Sequence, residues 1–233
     1  MNAKKTALLT MVSVILAITP VFPALNQCTN PRIEPINATP YGMSYSQWAA
    51  AWWTWALQTP GSVNPLTDTT GIYISQNQKG RVWFLAGLLG GGTVKRTGKI
   101  PSGTALFFPL TNNFYGAFLT DPDSTKTTAY IRSQVVCVEG AGLSVTIDGM
   151  KVRCPSQYLE KSTVFTIHFP VDNVFGVTSA DVPQLTLSPV VDEGYYIFLD
   201  PLPPGQHTIN FTVTPLASCA APLTVTYNLT VTK

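Results

Sequence analysis

The sequence predicts a mostly β protein: an antiparallel β-sandwich or jelly-roll-like body carrying one Trp-rich N-terminal helix, with room for a second short helix. Three observations predict it. Near the C-terminus, Ile209, Phe211 and Val213 alternate with Asn210, Thr212 and Thr214, and then Leu223, Val225, Tyr227, Leu229 and Val231 alternate with threonines and Asn228. That period of two marks strands with one buried and one solvated face. Across the middle, 19 prolines and 17 glycines in 233 residues break the chain into short apolar runs, as strands separated by turns require. Only at 45–58 does the apolar period become clearly helical.

Taken in order, the first segment is a leader. Lys4 and Lys5 precede an apolar run over 7–18, closed by Pro20 and Pro23, the basic, apolar and small-residue sequence of an export signal. Residues 1–24 are read as that signal, with cleavage after Ala24, although Phe22 stands where a small side chain is preferred. Leu25, Asn26 and Gln27 do not form the approach to a lipidated cysteine, so Cys28 is read as unmodified by lipid. The expectation is a secreted protein, extracellular or periplasmic, whose residues 25–233 form a single domain. No later segment approaches the roughly 18 apolar residues a membrane helix needs.

An irregular arm over 26–42 leads to the helix. Ser44 and Gln47 have the spacing of a capping box, and Met43 precedes the cap where it can staple onto Trp48. Tyr45, Trp48, Trp52 and Trp55 follow on one face, opposite Gln47, Thr54 and Gln58, until Pro60 and Gly61 end the element. Such a stripe needs a cover, and the protein's own sheet is the expected one. Strands are then expected at 72–75, 81–85, 93–99 and 105–110, and a weaker helix at 124–136 after the Asp121-Pro122-Asp123 turn. Asp148-Gly149 between alternating runs predicts a two-residue hairpin. Its register would place Ile147 with Met150, Val145 with Val152 and Leu143 with Cys154, all on one face. Further strands are expected at 163–169, 184–187 and 195–199 before the closing hairpin.

The chain holds 14 basic and 12 acidic residues, and removal of Lys4 and Lys5 with the leader leaves a net charge near zero. Charged residues make up only 11%, so there is no basic stripe to bind nucleic acid. Four cysteines, Cys28, Cys137, Cys154 and Cys219, are an even number in an exported chain and point to disulfides. Three pairings are open, of which Cys137–Cys154 is the most local and would leave Cys28 with Cys219.

Candidates for chemistry are few. His168 lies on the polar parity of its strand and His207 at a strand start after Pro203-Pro204-Gly205, and neither has sequence-adjacent partners for acid–base or metal work. No Gly-x-Ser-x-Gly nucleophile motif occurs. The local carboxylate pairs, Asp121 with Asp123 and Asp192 with Glu193, stand beside Pro, Gly or Ser, where acids stabilise turns; they would serve glycoside hydrolysis only if the fold brought two together. Asp121 to Ser124 lacks the glycine and glutamate of a calcium loop, and Gly90-Gly91-Gly92-Thr93 lacks the lysine of a phosphate loop. Asn37, Asn210 and Asn228 are glycosylation sequons that matter only in a eukaryotic secretory route. No catalytic, cofactor-binding or metal residue is assigned.

Several segments together resemble a family of uncharacterised exported bacterial proteins. They are the Trp48–Trp55 helix, Asn64-Pro65-Leu66-x-Asp68-x-Thr70-Gly71, Val82-Trp83-Phe84-Leu85-Ala86-Gly87, Pro101-x-Gly103-x-Ala105-Leu106-Phe107-Phe108-Pro109, Asp192-x-Gly194-Tyr195-Tyr196 and Pro201-Leu202-x-Pro204-Gly205-x-His207-Thr208-Ile209. The resemblance implies a secreted bacterial origin and a single domain, and brings no activity with it. The sequence therefore favours a secreted, non-catalytic β-sandwich acting in surface recognition or envelope assembly, with a glycan, a protein or a second copy as partner. The alternative is a secreted hydrolase, for example a glycan-active one, built on carboxylates the fold gathers.

Overall fold

A computed structural model describes residues 28–216 and 221–233, so the export signal at 1–24 and the expectation for Cys219 lie outside the described residues. The protein is mostly β; the described residues form two five-stranded sheets and helices α1 (Tyr45–Gln58) and α2 (Thr128–Gln134). The first sheet runs β1 (Val82–Phe84), β3 (Ala105–Phe118), β8 (Thr186–Leu199), β6 (Leu159–Lys161), and β7 (Phe165–His168) also pairs with β8. The second runs β2 (Gly92–Ile100), β10 (Leu223–Val231), β9 (Gly205–Thr214), β4 (Gly142–Ile147), β5 (Met150–Lys151).

Alternation along β3 and β8 makes three layers. Phe108 on β3 stacks at 5.8 Å on Phe211 of β9, closing sheet onto sheet. On the opposite face, Phe107 stacks at 5.1 Å on Tyr196 of β8 and meets Tyr45 and Trp48 of α1. The tryptophan helix is thus the outer cover of the first sheet. Its capping box is present, Ser44 accepting from Gln47 N–H and Gln47 accepting from Ser44 N–H at 2.9 Å. At the other end Asn64 donates to the carbonyls of Ala56 and Thr59, each at 2.8 Å, satisfying acceptors that a helix C-terminus leaves open.

Several expectations are corrected. The sheets are mixed, not purely antiparallel, because β1 pairs parallel with β3 and β2 parallel with β10. A tight turn forces antiparallel pairing, but most of the chain separates β2 from β10 and no turn dictates their sense. Residues 72–75 form turns instead of a strand. The Asp68 carboxylate takes the main-chain N–H groups of Thr70, Gly71 and Tyr73 at 2.8, 3.0 and 2.9 Å, and Ile72 and Ile74 donate theirs to Thr70 Oγ1 and Gly71 O at 3.3 and 3.2 Å, so the donors a ladder would use are spent locally. Gly71 has φ +94°, and a Cβ there would collide with Thr97 O.

The strands expected at 184–187 and 195–199 are one element, β8, which runs through Asp192 and Glu193. Those two acids therefore stand mid-strand and not in a turn. In the hairpin Ile147 does face Met150 and Val152 N–H reaches Val145 O at 2.9 Å. Met150 is nonetheless 63% exposed, because β5 is the edge of its sheet and nothing covers it. The expected Leu143–Cys154 pairing is absent, since Cys154 turns out of the strand at φ 46°.

Cys154 is bonded to Cys28, so the favoured Cys137–Cys154 bridge is overturned. The cause lies in the N-terminal arm. Asn30 accepts from Arg153 N–H at 2.6 Å and donates to Arg153 O at 2.9 Å and Tyr158 OH at 3.1 Å, which lays Cys28 beside Cys154. Cys137 is itself disulfide-bonded. Among the described residues, no helix is long and apolar enough to cross a membrane.

Candidate functional site

Four indoles of α1 fix the outer layer, and each N–H has an acceptor: Trp48 donates to Pro40 O, Trp52 to Leu85 O, Trp55 to Gln76 O, and Trp53 to a side chain, Asp192 Oδ2, at 2.8 Å. Trp52 is 1% exposed and Trp55 also buried, while Trp48 is half-buried against Phe84, Phe107 and Phe198. Trp53, buried as well, was not singled out in the sequence because it lies off the Trp48–Trp52–Trp55 stripe.

Asp192 is completely buried. Its Oδ2 also accepts from Tyr196 OH at 2.7 Å, and Asn112 Nδ2 donates to that hydroxyl at 3.1 Å. Oδ1 has no partner. Burial pushes this carboxyl up to about 7, against the donation from Trp53 and Tyr196 that favours the charged form; loss of hydration outweighs two hydrogen bonds. Glu193, the next residue, points to the other face of β8, 3.7 Å from Lys161 Nζ. Burial raises its carboxyl too. Adjacent residues of a strand diverge, so the two acids do not converge as a hydrolytic pair.

A second buried polar group braces the region between the sheets. Arg96, 1% exposed, donates to Asp68 O at 2.7 Å, Ala86 O at 2.5 Å, Gly87 O at 2.9 Å and Tyr227 OH at 2.6 Å, with Tyr227 in turn donating to Ala86 O at 2.8 Å. These bonds tie the start of the 86–91 loop, at Ala86 and Gly87, to β2 and β10 of the second sheet.

That loop forms one wall of a cleft of about 500 Å³. Leu88, Leu89, Val213 and Leu223 rise from the second-sheet side, Trp53 and Phe175 from the outer layer, and the floor is the run Pro109 to Phe114 of β3. The floor contains a bulge, the β3–β8 register shifting between Pro109 and Thr111. Bulges re-aim a strand beside functional sites. Trp53 lies 4.5 Å from the Phe114 ring and Phe175 6.5 Å from it. The lining is apolar apart from Thr111, Asn112, Asn113 and main-chain groups, and contains no charged side chain. An apolar slot of this size with a few polar groups on its floor is what a binding site presents.

The other candidates are placed separately. His168 is exposed and 3.1 Å from Thr186 Oγ1. His207 contacts Asp148 Oδ2 at 2.7 Å and Pro203 O at 2.8 Å, fastening the β4–β5 turn to the start of β9. Asp121 accepts from Phe118 N–H at 2.8 Å, and Asp123 pairs with Lys126 at 3.0 Å; both serve their own turn.

No known family model matches the chain, and no curated protein does. Among solved structures, the chain is similar to the cysteine protease inhibitor EhICP2 from Entamoeba histolytica, at 16% identity over 65% of this chain and 94% of that one, with a TM-score of 0.22. Agreement that loose carries no argument about activity.

Proposed function

We propose that this is an exported recognition protein that uses the cleft between the 86–91 loop and the β3 edge to hold an apolar partner, and does no chemistry of its own. The cleft carries this reading: aromatic and aliphatic walls with main-chain groups of β3 on the floor reward burial of apolar surface and fix orientation with few hydrogen bonds. Export is supported by the Cys28–Cys154 disulfide and by the resemblance to exported bacterial proteins. In a titration with the apolar fluorophore anilinonaphthalene sulfonate, wild type should bind and Leu89→Asp should bind at least about tenfold more weakly. Unchanged binding would remove the cleft from consideration.

One observation favours the hydrolase reading. Asp192, pushed up to about 7, is perturbed in the way of a general acid. Its carboxyl is committed to Trp53 and Tyr196 beneath the cleft floor, however, and supports the floor more directly than it could meet a substrate. Cleavage of glycan, ester or peptide substrates that Asp192→Asn abolishes without loss of fold would make the hydrolase reading the right one.

A further inference from the structure

The cleft floor is a strand seen edge-on. Six consecutive residues, Pro109 to Phe114, line it, whereas a strand presenting a face contributes every second residue. The partner strand on this side, β1, pairs only with Ala105 to Phe107, and Leu85 N–H adds a last bond to Phe107 O at 3.1 Å. Beyond that point no strand among the described residues pairs with this side of β3.

Main-chain orientation along this edge follows from β8. Asp192 donates its N–H to Ser162 Oγ at 2.8 Å and accepts Ser162 N–H on its C=O at 3.0 Å, so both groups point away from β3. Phe114 lies directly opposite Asp192. Residues opposed in an antiparallel pair turn their main-chain groups either both inward or both outward. Phe114 therefore turns its N–H and C=O into the cleft, as does Asn112 two residues earlier, opposite Gly194. The Phe114 N–H is occupied by Oδ1 of the neighbouring Asn113 at 2.9 Å, a replaceable acceptor.

Building on the reading of the cleft as a recognition site, we propose that the open β3 edge at Asn112 and Phe114 takes an extended segment of another polypeptide by β-strand addition, with an apolar side chain of that segment seated between Trp53, Phe114 and Phe175. An edge strand offers a row of donors and acceptors that only another main chain matches in spacing. The edge is recessed: Leu89 and Phe175 stand 44% and 40% exposed on its two sides, which admits one extended chain and obstructs the sheet of a second folded copy. The uncharged lining selects an apolar, uncharged segment.

The test uses an acetylated, amidated Thr-Val-Thr-Phe-Thr-Val peptide and two derivatives N-methylated at alternate main-chain nitrogens, one set odd and one even, titrated against purified protein by tryptophan fluorescence and calorimetry. Because alternate amides of an added strand face opposite sides, one derivative should keep the parent affinity and the other should lose at least about tenfold. Leu89→Asp, on an exposed side chain that leaves melting temperature unchanged, should weaken all binding. Equal binding of the parent and both derivatives, still sensitive to Leu89→Asp, would overturn edge pairing while leaving the cleft a recognition site. Binding indifferent to Leu89→Asp would overturn both. Failure of the parent peptide to bind at about 1 mM, or self-association that Leu89→Asp abolishes and the peptide does not compete, would also overturn the proposal.

Discussion

Two buried polar residues, Asp192 and Arg96, decide how the layers meet, and their consequences are measurable. Burial holds the Asp192 carboxyl at about 7 in the folded protein, whereas in the unfolded chain it titrates as an ordinary carboxylate. The folded state binds this proton more tightly, so the stability attached to it is complete below about pH 4 and is lost as pH rises through about 7. The loss amounts to roughly 4 kcal/mol. Glu193 raises and Arg132 lowers the same carboxyl, and Asp68, held low by Tyr73, Thr70 and Gly71 against its burial, has the opposite pH dependence. Comparison of wild type with Asp192→Asn in denaturant melts at pH 4, 6 and 8 subtracts those other groups. The variant should lack the decline and be the more stable of the two at pH 8. Arg96→Ala, which strands the carbonyls of Asp68 and Gly87 and leaves Ala86 O only its bond from Tyr227, should cost at least about 3 kcal/mol, read from the same melts. Parity within β2 carried a signal for Arg96: it shares a face with Val94 and Ile100, both buried. For Asp192 the signal was the apolar run on both sides, Val190-Val191 and Gly194-Tyr195-Tyr196, which outranks the turn preference of an acid once the strand is paired on both edges.

Among the elements, α1 shows what sequence pattern can carry. The capping box, the stop at Pro60 and a buried aromatic face were all legible, because helix ends and helical period are local properties. Trp52→Ala should destabilise by roughly 3 to 5 kcal/mol, and Trp48→Ala by clearly less, since Trp48 is half-buried; chemical denaturation of the two variants checks the order. The long β8 was less legible. Its residues are buried on both faces from Val190 to Leu199, so the period of two that marks β9 and β10 is missing, and Asp192-Glu193 looked like a break between two shorter strands. The 72–75 segment failed for the reverse reason. Ile72, Tyr73 and Ile74 read as a strand, but local acceptors take their amides: Thr70 Oγ1, the Asp68 carboxylate and Gly71 O respectively, a competition that propensity does not register.

Across the whole molecule, a mostly β architecture of packed sheets was legible from period and punctuation. The parallel pairings and the disulfide were not, because each joins segments that other elements separate along the chain, β2 between β1 and β3 and most of the fold between β2 and β10 and between Cys28 and Cys154. Cys28–Cys154 spans 126 residues, and in the loop-entropy model a crosslink of that span is worth about 5 kcal/mol. Cys28→Ser should therefore lower stability by up to about that amount and release the arm at Asn30, which limited proteolysis of native protein would detect as new cleavage near residues 28–40. The cleft was invisible to sequence reading for the same reason as the disulfide: its walls come from α1, the 86–91 loop, β3 and the residues Val213, Pro215, Ala221 and Leu223 at the ends of β9 and β10, and only the three-layer packing brings them together. The site is tested most directly by mapping amide and indole NMR shifts of the protein during titration with the Thr-Val-Thr-Phe-Thr-Val peptide. Shifts concentrated on the amides of Asn112, Phe114 and Leu89 and on the Trp53 indole N–H are the expected result; shifts centred on Trp48, Trp55 and Phe84, or none at saturation, would contradict it.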